Sequence, residues 1–197
     1  MKISHYFLQG MVTHNGLPQW LSEQMGLYGN DSDVDKIVIW INSSGGDITA
    51  ALEIINLIEA SDIPVITIVN GCAESAALLI SMSGHHRLAF ETSWGMAHHF
   101  STAMEGNYHD LMDSIKHNSL LDSAMRTLFK GHANVTDADL DSLILGRQNT
   151  WLSAQDMLDM GMIDTIVSSR GSLKKRIMKI GTKKALKISK QSRSAHR

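Results

Sequence analysis

The sequence predicts an α/β protein with a mainly parallel sheet. Three observations carry that expectation. Residues 36–42 (Lys-Ile-Val-Ile-Trp-Ile-Asn) and 64–69 are β-branched apolar runs, which read as strands buried on both faces. Each run ends in a glycine-containing turn, Asn42-Ser43-Ser44-Gly45-Gly46 and Asn70-Gly71. A helical segment follows each turn, so the order is βαβα, and that alternation is the mark of a parallel sheet.

The elements follow in order. Residues 1–10 hold a short apolar patch and no small-residue cleavage site, so the expectation is no secretory signal and a cytoplasmic protein. After the first buried strand, Asp47 stands where a helix N-cap belongs, and Ile48, Leu52, Ile55 and Ile58 recur at helical spacing. Pro64 opens the second strand. A small-residue helix, Ala76-Ala77-Leu78-Leu79-Ile80, comes after its turn. Short strands are expected near 87–90 and 95–98, then one long helix over 107–130 with Leu111, Ile115, Leu121, Met125 and Leu128 on its apolar face. Thr136-Asp137-Ala138-Asp139 and Ser153-Ala154-Gln155-Asp156 resemble capping boxes with Asp at N3, and Gly161 suits a helix stop. Residues 163–167 read as a last strand. No repeat at solenoid period occurs.

Composition bounds the function. With 197 residues, 43% hydrophobic and 19% charged, the chain suits one domain with a real core, which excludes wholesale disorder. No run of 18 apolar residues occurs, so no membrane span is expected. The single Cys72 excludes an internal disulfide framework and a thiolate zinc cluster. The formal net charge of −2 hides an asymmetry. Residues 170–197 hold eleven Lys or Arg and no acid, leaving a net −13 on residues 1–169. The division expected is therefore a body over 1–169 and a basic tail over 170–197. In that tail Leu173, Ile177 and Ile180 fall at helical spacing before Gly181.

Three places could carry chemistry. Ser43-Ser44-Gly45-Gly46 follows a buried strand, and glycines there bring backbone N–H groups close to a ligand; taken alone, a plain turn is the commoner reading. In Gly71-Cys72-Ala73-Glu74-Ser75-Ala76-Ala77, Ser75 sits at a strand-to-helix turn as an exposed nucleophile or as a simple helix cap. Cys72 competes with it, but a buried structural thiol is the better reading. In Met96-Ala97-His98-His99, strand alternation lets only one histidine face a given site and argues against a metal pair. His85-His86 reads as a solvated turn.

In combination and order these motifs resemble the proteolytic subunit of Clp proteases. The run is strand–Asn-Ser-x-Gly-Gly–helix, then Gly-x-Ala-x-Ser-Ala, then Met-Ala-His, then Trp-Leu-Ser-Ala followed by Gly-x-Ile-Asp. The resemblance spans roughly residues 3–169, is strongest over 36–99 and 149–167, and leaves the tail uncovered. It implies the crotonase-like ββα spiral with a protruding handle helix, here 107–130, and a handle strand over 100–106. By motif, Ser75 matches the nucleophile, His98 the general base, and the backbone N–H groups of Gly45 and Ala76 the oxyanion hole. Asn149 falls where the family carries its triad Asp.

The resemblance also implies a serine endopeptidase without cofactor or metal, two stacked heptameric rings enclosing a chamber, polypeptide substrates and an AAA+ unfoldase partner. Related viral enzymes act on capsid proteins. Because no Gly-x-x-x-x-Gly-Lys-Ser/Thr occurs, any ATP use belongs to a partner. Two departures stand out. Asn149 removes a negative charge from beside the imidazolium, which points to weak activity or to a non-catalytic ring subunit beside an active paralogue. Glu74 replaces a small residue next to the nucleophile, either pointing to solvent or meeting substrate. The tail reads either as a solvated segment or as a docking arm for an anionic surface: a neighbouring subunit, an unfoldase or nucleic acid.

Overall fold

The computed structural model describes residues 1–27, 32–101, 103–143, 146 and 148–181. In chain order its elements are β1 (Ile3–Val12), α1 (Leu17–Gln24), β2 (Lys36–Gly46), α2 (Ile48–Ala60), β3 (Val65–Glu74), α3 (Ala76–Ser83) and β4 (His86–Phe90). They continue with β5 (Trp94–Ala97), α4 (Tyr108–His132), α5 (Asp137–Leu143), β6 (Thr150–Ser153), α6 (Ala154–Asp159), β7 (Thr165–Val167) and α7 (Arg170–Lys179). The α/β class and the parallel sheet hold.

Strands β1, β2, β3, β4 and β7 lie side by side in that order, all parallel. The sheet forks at β3. Its first half, Ile66–Val69, pairs with β4, whereas Cys72–Glu74 pairs with β5, and β5 pairs antiparallel with β6. Alternation along the strands explains the two layers of core. Ile37, Ile39 and Ile41 of β2 face α2 and α3 together with Val65 and Val69 of β3. Val38, Ile66, Ile68, Leu88 and Val167 face the other way, onto Leu173 and Ile177 of α7. Each such side chain contributes roughly 1.5–3 kcal/mol by leaving water, so the largely apolar runs place β2 and β3 at the covered centre of the sheet, whereas β1 at its edge leaves His5, Phe7 and Gln9 exposed.

The expected helix signals are present. Asp47 accepts from the N–H groups of Thr49 (2.7 Å) and Ala50 (3.1 Å) and starts α2. Asn107 and Asp110 close a capping box at α4, as do Ser153 and Asp156 at α6. Thr136 and Asp139 make the same reciprocal pair at α5. Gly161, at φ +68°, follows the C-cap of α6 in the left-handed conformation.

Several expectations shift. Sequence periodicity misses β1 and α1, because β1 is an edge strand that buries only Leu8 and Val12 and so shows no clean apolar pattern. Among the described residues of 100–106 there is no strand, since nothing lies alongside to complete a ladder. The apolar face of α4 divides lengthwise. Of its expected residues Met125 is buried against the body and Leu111, Leu121 and Leu128 are half-buried, whereas Ile115 is exposed. Phe129 joins the buried side, and Tyr108 and Met112 the exposed one. His85 is not a plain solvated turn: its Nδ1 accepts from the Val65 N–H at 2.9 Å, and His86 opens β4. The tail begins as α7, held to the sheet by Leu173 and Ile177; residues 182–197 lie outside the described residues. At the far end of α7 the fully buried Lys36 donates from Nζ to the Ile177 carbonyl at 2.8 Å. No helix among the described residues is long and apolar enough to cross a membrane.

Candidate active site

Two neighbouring parallel strands, β2 and β3, end in turns that face each other, and the candidate site lies between them. Ser75 closes the β3 turn at φ 54° and ψ −123°, making it the one non-glycine residue with positive φ among the described residues. Such a backbone is disfavoured by roughly 1–2 kcal/mol and persists only where surroundings impose it. Here the Ser75 N–H donates to the Met96 carbonyl at 2.7 Å, tying the turn to β5. The strain lifts the side chain away from the helix it precedes. Ser75 makes no side-chain cap bond to α3, so simple helix capping is not its role.

The Ser75 hydroxyl instead meets His98. Its Oγ lies 2.7 Å from His98 Nε2, within the range of a short O–H···N bond. β5 ends at Ala97, one residue before the expected end, and His98 follows directly. His99 turns the other way. Its Nδ1 sits 3.1 Å from the Phe100 carbonyl and its Nε2 3.8 Å from Asp122 on α4. Only one of the paired histidines reaches the serine, as expected, although both lie beyond the end of β5 and strand alternation is not what divides them.

Gly45, at φ +91°, stands against this turn. A Cβ there would come within 2.6 Å of the Glu74 carbonyl oxygen and 2.8 Å of the Ser75 Cβ. Its N–H donates to Ser43 Oγ at 3.1 Å, and Ser43 Oγ in turn donates to the Gly10 carbonyl at 2.5 Å. An oxyanion accepting from Gly45 therefore has to share or displace that internal bond. Ala76 opens α3, whose first N–H groups have no acceptor within the helix. The Ser43-Ser44-Gly45-Gly46 run is a sequence candidate for its glycine N–H groups; that Ser43 Oγ engages one of them is visible only in the structure.

Asn149 is exposed and precedes β6. The β5–β6 register runs from Trp94↔Ser153 to Ala97↔Thr150, and one further step would set Asn149 opposite His98. Among the described residues no hydrogen bond joins the two side chains.

The competitors fall away on geometry. Cys72 is half-buried, with its backbone N–H bonded to Asn42 Oδ1 at 3.1 Å. Burial, then the charge of Glu74, pushes its thiol pKa up, so little thiolate exists near neutrality. Glu74 accepts from Trp94 Nε1 at 3.1 Å and does not line the cleft that holds Ser75. Among the described residues no group of three His, Cys, Asp or Glu could hold a metal.

The cleft itself has a volume of about 590 Å³. Leu79, Phe100, Leu121 and Met125 give it an apolar wall, and Asp47 and Thr49 a polar rim. A serine under strain, a histidine on its hydroxyl and unbonded helix N–H groups opening on one cleft define a site suited to acyl transfer.

The comparisons agree with that class. The chain belongs to the Clp protease family, whose pattern matches residues 2–170. It is similar to the ATP-dependent Clp protease proteolytic subunit of Leuconostoc citreum (strain KM20), at 31% identity over 168 residues, 83% of this chain and 82% of that one. A peptidase of this family is what fold and sequence together define.

Proposed function

We propose that this chain is a serine endopeptidase subunit that cleaves unfolded or short polypeptides inside an oligomeric chamber. The observation that carries the reading is the 2.7 Å contact between Ser75 Oγ and His98 Nε2 at a strained strand-to-helix turn.

Chemistry follows from that geometry. As Ser75 Oγ attacks a scissile carbonyl, its proton passes to His98 Nε2. The carbonyl oxygen becomes an oxyanion that accepts from the Ala76 N–H and, as the Ser43 bond yields, from the Gly45 N–H. Collapse breaks the C–N bond, and His98 returns the proton to the leaving amine. Water then repeats the sequence on the acyl-enzyme. Asn149 acts as the third member, its carbonyl accepting from His98 Nδ1–H and fixing the tautomer without supplying charge.

Two stacked heptameric rings, an AAA+ unfoldase as the source of ATP-driven feeding, and a cytoplasmic setting complete the proposal. A second reading, a weakly active or non-catalytic ring subunit beside an active paralogue, is favoured by Asn149 standing in for a carboxylate.

Labelling with a fluorophosphonate and locating the adduct by mass spectrometry separates the two. The active reading expects the adduct on Ser75, lost in Ser75→Ala and His98→Ala and kept in His99→Ala. Absence of any adduct on wild-type protein favours the non-catalytic subunit.

A further inference from the structure

A second cleft, of about 610 Å³, lies at the opposite end of the strands from Ser75. Its walls are the starts of β4 and β7 and the last two turns of α7, and it shares no residue with the Ser75 cleft. Lys175, Arg176 and Lys179 reach it from α7. All three are exposed, and none makes an ion pair among the described residues. One acid, Asp164, lines the cleft, and it is already neutralised. Arg87 donates to Asp164 Oδ2 from its backbone N–H at 2.8 Å and to Oδ1 from Nε at 3.2 Å and from its terminal nitrogen at 2.5 Å. Three cations thus surround a space with no free counter-charge.

The platform is firm. Leu173 and Ile177 bury the inner face of α7, and Lys36 Nζ holds the Ile177 carbonyl. The three cations sit in the later turns of α7, where positive charge complements the helix macrodipole.

We propose that this cleft binds the phosphate backbone of nucleic acid, without reading bases. Lys175 and Lys179 are one turn apart, roughly 6 Å along the axis, and Arg176 between them offers a planar fork for two oxygens of one phosphate. No Phe, Tyr or Trp lines the cleft and its one aromatic ring is the half-buried His86, so there is little stacking surface for bases. A nucleic acid carries a charge on every residue, which matches a row of cations better than the sparser carboxylates of a peptide. The sequence beyond Gly181 continues in the same sense, with Lys183, Lys184, Lys187, Lys190, Arg193 and Arg197 and no acid.

The test uses the full chain and a short fluorescein-labelled oligothymidylate, read by anisotropy from low to moderate salt. The expected result is binding whose log affinity falls linearly with log salt. The triple variant Lys175→Gln, Arg176→Gln, Lys179→Gln should lose at least tenfold in affinity and make the slope shallower by about 2, the release expected for three single-strand phosphate contacts. Circular dichroism and peptide turnover should match wild type, since these residues are exposed and remote from Ser75. Undiminished binding by the variant would place the contact elsewhere in the chain and overturn the cleft. Equal competition by polyglutamate of matched charge would make the ligand an acidic peptide, and no binding at low salt would end the proposal outright.

Discussion

Gly45 and Ser75 stand so close that a methyl group on Gly45 would sit 2.8 Å from the Ser75 Cβ. Two turns that end different strands are thereby locked into one site. Gly45→Ala should displace the Ser75 turn and lower peptide turnover by about 100-fold, the usual scale for a misplacement near 1 Å. Gly10→Ala is the control. Gly10 also has a positive φ, +76°, but nothing lies within 4 Å of its Cβ position. That variant should cost about 1–2 kcal/mol in a denaturant melt from backbone strain while keeping turnover. Equal loss of turnover in both would mean that strain, not contact with Ser75, explains the effect.

The β5–β6 ladder ends at Ala97↔Thr150, and one further step would set Asn149 opposite His98. If its carbonyl fixes the His98 tautomer, Asn149→Asp adds charge stabilisation of the imidazolium and should raise kcat tenfold or more. The reverse change in a Ser-His-Asp enzyme lowers turnover by about 10⁴. Asn149→Ala should lower kcat by freeing the ring. Unchanged kcat in both variants would remove Asn149 from the mechanism.

Much of this site is legible in the sequence because its parts are local. The buried runs announce β2 and β3, although β2 continues through Gly46 and β3 through Glu74, past the glycines where the sequence predicts turns. His98 and His99 follow the end of β5 rather than alternate within it. What sequence reading misses depends on partners distant along the chain. β1 is a strand because Ile3–Val12 lies beside β2, and few of its own residues are buried. Glu74 turns from the cleft because Trp94, twenty residues on, offers it a donor. The Gly45 N–H is engaged by Ser43, whose orientation is set by the Gly10 carbonyl on β1. No spacing rule contains those contacts.

Asp47 links stability to acid. The Thr49 hydroxyl, then the Ala50 N–H, hold its carboxyl pKa below the usual range. The native state therefore binds fewer protons than the unfolded chain, whose Asp titrates near about 3.9. The stabilisation is complete above that pH and is lost as pH falls through the lower native value. Asp47→Asn retains an N-cap acceptor without a titrating group, so its urea midpoint should match wild type near neutrality and fall less steeply in acid. Asp47→Ala should cost about 1 kcal/mol at pH 7. Asp139 and Asp156, also held low by hydrogen bonds, leave a residual acid slope in every variant. An unchanged acid limb in Asp47→Asn would show that Asp47 is not a source of the pH dependence.

The divided face of α4 gives the last test, of assembly. Tyr108, Met112 and Ile115 recur at i, i+4 and i+7 and form an exposed apolar line, about a quarter-turn round α4 from the side that Met125 and Phe129 bury. An apolar line that its own chain leaves uncovered is the kind of surface that a neighbouring subunit covers. Charge placed on the two sides should therefore have opposite consequences. Met125→Glu buries a carboxylate inside the chain itself, costs several kcal/mol and should lower the thermal midpoint of any species present. Ile115→Glu leaves the isolated chain's core untouched but puts an unpaired charge into a subunit contact, at a cost of a few kcal/mol for each contact that forms. Sedimentation velocity should show wild type far above 21.7 kDa and Ile115→Glu shifted to smaller species with native circular dichroism. If Ile115→Glu sediments with wild type, the exposed side of α4 is not the surface through which subunits meet.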